Sequence, residues 1–399
     1  MSTDCKTSSS ISTEIDTLIF NSIDHVNERD WDLVQSGGNV YLSLPYLKAL
    51  ESGLPAFDFR YFIFYNNLKQ PVGLGYCQIV KVTQKEINTD ALVKRMGGLL
   101  PKKLLNSLDL RVLICGNAFA SGENGFMFTD KISLEQGFNL LANAIEEINH
   151  TEKKLNRKVA ITLIKEFWPQ TFKVSDHLKE YGCSEVNIDV NMILTLDDSW
   201  KTFDDYLQAM NSKFRTKAKH VLKKSADLEI VDFTPEVIKN RLDEIDELYN
   251  FIVDKANFSF GRLNAQTLYN IKLALGKDFL FKGYYLKGKL IGFSTATAFE
   301  NVLDGNFIGL DYEFNQSHAV YQRILYDFIQ HAFDIGAKVI KIGRTAEEIK
   351  SGVGATPTEM KFYAKHRNKV TNAILRPLVQ NLKPSDFELR KPFKVEYYK

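Results

Sequence analysis

The sequence offers little for metal or thiol chemistry. Its 399 residues include four cysteines, Cys5, Cys77, Cys115 and Cys183, and no two stand at metal-knuckle or redox-motif spacing. A disulfide scaffold is excluded, and reduced thiols in a cytoplasmic protein are expected. Histidines number seven, with no His/Cys/Asp cluster at ligand spacing, so no metal is expected. A large excess of one charge is also missing. Lys and Arg total 51 against 49 Asp and Glu, a net charge of +2, so no global field draws in nucleic acid or an anionic membrane. No uninterrupted apolar run reaches membrane-spanning length, which leaves peripheral contact as the only membrane association to expect. The opening MSTDCKTSSSIST lacks the apolar centre of a secretory signal, and a loose tail over residues 1–15 is expected.

What is present is a repeated plan. Hydrophobic residues make up 44% of the chain, enough for packed cores without staples, and the length suggests two of them. Arg60 to Val80 reads as two β-rich runs around a polar turn, and Phe281 to Phe299 repeats that hairpin pattern. Each is followed by a further strand, Arg111 to Gly116 and Gly305 to Leu310. A helix comes next in each half. Leu134, Phe138, Leu141, Ile145 and Ile148 share one helical face, as do Tyr321, Ile324, Leu325, Phe328, Ala332 and Phe333. Each helix leads into a strand opening with Lys-Val, at Lys158 and at Lys338. Four elements repeated in order favour a duplication with mixed α/β layers. Asp197, Asp198 and Ser199 interrupt the apolar pattern, which places one domain at 16–197 and the other at 198–399.

The charged residues suggest anion sites. Lys213, Arg215, Lys217, Lys219, Lys223 and Lys224 follow one another without an acid. That is either a phosphate-binding face or a solvated helix surface. Arg344 follows a predicted strand, where α/β sheets favour ligands; it could hold an anion or pair with Glu347 or Glu348. Ser351-Gly352-Val353-Gly354-Ala355 comes next, flanked by Lys350 and Lys361, and lacks the Gly-Lys-Ser/Thr ending of a P-loop. Glu313, His318 and Glu347 are the candidate general bases near this region, and Tyr312 or Tyr321 the candidate acids. Residues 82–110 form an insertion in the first half. Its stretch ALVKRMGGLLPKKLLNSL reads as a packed insertion or as a lid over an acyl chain or membrane surface.

Three stretches carry a resemblance. Trp31 through Glu51 resembles the opening of predicted N-acyltransferases of the GNAT superfamily. Asn211 through Ile230 resembles the start of the second domain of Fem-like proteins, and Tyr321 through Gly343 their helix and strand ending in glycine. The resemblance spans about residues 18–370. It implies tandem GNAT-like domains in a bacterial, cytoplasmic enzyme, with the principal site in the second domain. It also implies transfer of an acyl group from acyl-CoA or acyl carrier protein to a small-molecule or lipid-like amine. Acyl-CoA or another thioester would be a co-substrate, with no tightly bound cofactor. On this reading Arg215, Lys219, Arg344, Lys350 and Lys361 contact the donor, and Glu313, His318 and Tyr321 serve the chemistry.

One departure stands out. The pyrophosphate loop of ordinary acetyl-CoA enzymes is replaced by Tyr312-Glu313-Phe314-Asn315-Gln316-Ser317-His318-Ala319, which contains no glycine. The alternatives are therefore a Fem-like transferase that takes aminoacyl-tRNA and modifies a cell-wall precursor, and a non-catalytic binding module on the same fold.

Overall fold

The computed structural model describes residues 15–36, 38–83, 109–187, 190–255, 261–368, 371–372 and 387–398. Residues 1–14 of the tail and the lid-like part of the insertion lie outside them. Fifteen strands are present among the described residues: β1 (Asp16–Phe20), β2 (Phe57–Tyr65), β3 (Pro71–Thr83), β4 (Asp109–Cys115), β5 (Phe126–Phe128), β6 (Ile161–Phe167), β7 (Ser184–Asn187), β8 (Asn191–Thr195), β9 (Glu229–Asp232), β10 (Phe279–Leu286), β11 (Lys289–Phe299), β12 (Val302–Leu310), β13 (Val339–Lys341), β14 (Thr356–Thr358) and β15 (Lys361–His366).

They build two mixed sheets with matching plans. The first runs β1-β2-β3-β4-β6-β15-β7, with β5 added against β3. The second runs β14-β8-β13-β12-β11-β10-β9. In each, an antiparallel hairpin (β2–β3, β10–β11) leads to a third antiparallel strand. That strand pairs in parallel with the one following the long helix, β4 with β6 and β12 with β13. The parallel pairs require a crossover, and helices supply it. The Leu134–Lys154 helix starts with a capping box in which Ser133 and Gln136 satisfy each other's backbone amides. It buries Phe138, Leu141, Ile145 and Ile148 against the first sheet. The Val320–Ile335 helix buries Ile324, Leu325, Phe328 and Ala332 and stops at Gly336, whose φ of 72° closes the last turn. Each fully buried large apolar side chain contributes about 2 kcal/mol.

The sheets exchange a strand. Short helical turns after β6 end at Tyr181 and lead into β7, but the next strand, β8, does not pair with β7. It lies in the second sheet between β13 and β14. Reciprocally, β15 leaves β14 and inserts in the first sheet between β6 and β7. A third apolar cluster joins the halves, packing the Leu44–Gly53 helix against the Ala265–Leu275 helix. There Thr267 Oγ1 donates to the Gly53 carbonyl at 2.9 Å, and a Cβ on Gly53 would sit 2.3 Å from that hydroxyl. Two helices, Pro235–Lys239 and Leu242–Val253, follow β9 and are parted at Asn240 and Arg241.

Candidate active site

The site follows from the register of β12. Its parallel ladder to β13 pairs Val302 with Val339, Leu303 with Ile340 and Asp304 with Lys341, and ends there. β12 runs on to Leu310, while the chain after Lys341 swings to β8, with hydrogen bonds between Ile342, Gly343 and Met192. The two strands part, and a cavity of about 640 Å³ lies in the gap. Beyond Asp304, β12 has no strand partner on that side among the described residues. Alternate N–H groups of this edge therefore face the opening. A bulge in the β11–β12 ladder, where Thr295 Oγ1 accepts the Phe307 N–H at 2.9 Å, bends the strand at this point. The Ala118–Ser121 loop and Lys165, both from the first half, complete the wall.

Asp304 lines the cavity and is 5% exposed. Tyr41, from the first half, donates its hydroxyl to Asp304 Oδ2 at 2.8 Å, and Asn306 Nδ2 donates to the Tyr41 oxygen at 2.7 Å. Thr297 fixes Asn306 from its other end at 2.6 Å. Burial pushes the Asp304 carboxyl up to about 6, against the opposing pull of Lys341 and of the Tyr41 hydrogen bond. A carboxylate of that basicity is ionised at neutral pH yet ready to take a proton.

The cavity also holds a buried ionic group. Lys165 donates to the carbonyls of Asn117 at 2.7 Å and Ala120 at 3.4 Å, and lies 3.3 Å from Glu166. Burial lowers its pKa, opposed by Glu166. Arg344 pairs with Glu166, whose other oxygen accepts the Gly122 amide at 3.1 Å. Burial alone would raise the Glu166 carboxyl, but Arg344 and Lys165 outweigh it and hold it below the usual range. Arg344 Nε is buried without a hydrogen-bond partner. Lys350, 3% exposed, donates to the Arg344 carbonyl, and burial lowers its ammonium to about 7 against the attraction of Glu347.

Of the residues singled out in the sequence, Tyr312, Tyr321, Arg344 and Lys350 line this cavity together. The Tyr321 phenol is pushed well up by burial, so it stays a neutral donor. Glu313 and His318 do not line it. They sit on the Tyr312–His318 helix, whose Tyr312 and Asn315 face the opening instead, and His318 Nδ1 lies 2.8 Å from Ser317 Oγ. Arg215 and Lys219 sit outside the cavity on the Ser212–Lys224 helix, where Arg215 donates to Gln208 Oε1 at 3.2 Å. Lys361 is in β15 of the first sheet, its ammonium 2.9 Å from Asp176 and 4.5 Å from the centre of the Phe172 ring.

The sequence reading passed over Asp304, Tyr41, Lys165 and Glu166. Two signals were present: a lone acid in the apolar run VLDGNFIGL, and a Lys-Glu pair ending ITLIKEF. Charges inside buried strands demand partners.

No protein-family model matches the sequence, and a search of curated proteins finds no match. Solved structures do resemble it. FemX is 12% identical, with 90% of this chain and 100% of FemX covered at a TM-score of 0.55. A tandem GNAT protein from the clavulanic acid biosynthesis pathway is 10% identical, with 89% and 99% covered at 0.52. The fold is therefore a tandem GNAT-like one, related to that of Fem-like transferases. Among the described residues no helix is long and apolar enough to cross a membrane.

Proposed function

We propose that the protein is an acyltransferase that moves an acyl group from a thioester donor, acyl-CoA or acyl carrier protein, to an amine held at the parting of β12 and β13. The observation that carries this reading is the buried Asp304 carboxylate beside an open strand edge. The acceptor amine must shed a proton to attack, and Asp304 is placed to receive it. The nitrogen then bonds to the thioester carbon, with the carbonyl oxygen polarised by strand-edge N–H groups. The C–S bond breaks, the departing thiolate takes a proton, and the nitrogen gives up its second surplus proton as the amide forms, restoring the one donated to the thiolate. Lys350, near half-protonated at neutral pH, is the proton source within the cavity, with Tyr321 a neutral hydrogen-bond donor.

A second reading, aminoacyl-tRNA as donor, is favoured by one observation. The amides that would greet a pyrophosphate are capped by the chain itself: Asn315 Oδ1 accepts the Tyr321 N–H at 3.0 Å, and Asp311 accepts that of Glu313 at 3.1 Å. Calorimetric titration with acetyl-CoA, a long-chain acyl-CoA and free CoA separates the two. Saturable binding that strengthens with chain length supports the thioester donor. No binding to any of the three rejects CoA and turns the search to carrier-protein thioesters and aminoacyl-tRNA.

A further inference from the structure

We infer that the acceptor carries a carboxylate as well as its amine, an amino acid or a peptide end, with the carboxylate held at Arg344 and the amine at Asp304. The inference rests on the transfer reading above and narrows its substrate class.

The charges of the cavity wall are arranged in two poles. At one end Glu166 contributes a single negative charge between two cations, Lys165 and Arg344. Lys350 is offset by Glu347. The Lys165–Glu166–Arg344 group keeps one surplus positive charge, and both cations line the cavity, Lys165 with its ammonium held by the Asn117 and Ala120 carbonyls and Arg344 with its guanidinium. A guanidinium has five N–H donors in a rigid fork suited to a carboxylate. One nitrogen, NH2, serves Glu166, while Nε is buried and unmatched. With Nε closed off from solvent, a carboxylate in the cavity would be met by the terminal nitrogens of the guanidinium, whose side chain is 28% exposed. At the other end stands Asp304.

The spacing suits a short zwitterion. Lys341 is the ladder partner of Asp304, and Arg344 follows it by three residues. Three residues of extended chain span at most about 10 Å, a gap that the arginine side chain and an α-amino acid bridge together. A zwitterion also leaves the charge balance of the cavity unchanged. A phosphate dianion would overload one guanidinium and face Asp304 with nothing positive to offer it. Phe119, Tyr249, Ile252, Leu325 and Phe328 supply an apolar part of the wall that accommodates an apolar side chain or the acyl group.

The test is calorimetric titration of the full chain, without donor, with L-leucine and L-phenylalanine. Their amides and their decarboxylated amines serve as matched probes. The free amino acids are expected to bind at least tenfold more tightly than the amides. Arg344→Gln is expected to erase that margin while leaving amide affinity in place. Arg344→Lys keeps the charge beside Glu166 and is expected to retain the fold, checked by its melting curve, yet lose most of the margin. Equal affinity for acid and amide in the unaltered protein, or no binding of any amino acid, overturns the inference. Neither outcome depends on a variant folding. Carboxylate-dependent binding with no thiol released from acyl-CoA or a carrier-protein thioester, and no acyl transfer from an aminoacyl ester, would instead reject the transfer reading and leave this pocket assignment standing.

Discussion

Tyr41 donates its hydroxyl to Asp304 at 2.8 Å across 263 positions of sequence. The candidate base in the second half is thus held by a phenol from the first. Tyr41→Phe removes the hydrogen bond that lowers the Asp304 pKa, so the acid limb of the pH–rate profile should move to higher pH. Stability should fall by about 1–2 kcal/mol, because Asn306 and Asp304 each lose a buried partner. A profile that does not move would show that Tyr41 has no influence on the reacting carboxylate.

Asp304→Asn tests the base directly. It keeps the shape and removes the proton acceptor, and turnover should drop by about 10²- to 10⁴-fold with donor affinity unchanged. The same variant has a stability signature. The folded carboxyl titrates near 6, above its ordinary 3.8, so the folded state binds the extra proton. Its contribution is fully present below about pH 4 and is lost as pH rises through 6. The difference between native protein and variant should change by about 3 kcal/mol over that window in urea melts.

Lys350 has the opposite linkage. Its folded ammonium loses its proton near pH 7 against an ordinary 10.5, so the unfolded chain binds more protons between those values. Stability should therefore rise from pH 7 toward 10.5, and Lys350→Met should flatten that rise. Thermal melts at intervals across the range would detect it. Parallel slopes in the two proteins would mean the lysine is charged and solvated in the fold.

Lys361→Met distinguishes a donor-binding lysine from a structural one. Its ammonium is engaged by Asp176, which also accepts the Tyr363 hydroxyl at 2.6 Å. Since Asp176 is partly exposed and keeps Lys179, the loss should be about 1–2 kcal/mol of stability. Donor and acceptor affinities measured by calorimetry should stay within twofold. A tenfold loss of donor affinity would return Lys361 to the site.

The duplicated plan was legible because hairpin turns and the 3.6-residue stripes of two long helices are local features. The nearness of Arg344 to the cavity was legible in part, since it follows a strand end, a favoured place for ligands in α/β sheets. The pairing of Asp304 with Tyr41 was not, since nothing within either segment names a partner 263 residues away. Lys361 stands away from this cavity because its neighbourhood in sequence, beside the Gly352–Gly354 turn, differs from its neighbourhood in space. The strand that carries it crosses to the other sheet. Glu313 and His318 share a helix with Tyr312 and Asn315, but only Tyr312 and Asn315 line the cavity.

The reciprocal placement of β8 and β15 makes each sheet's ladder depend on a strand delivered by the other half. A chain cut near residue 197 would yield two pieces that each lack an interior rung. The first piece would carry β8 with no ladder of its own to join, and the second would carry β15 in the same condition. Neither would make a self-sufficient globule, yet the two mixed together hold complementary edges and should reassemble as obligate mates. Once the strands had been exchanged, the halves became inheritable only as one chain or as a strict heterodimer.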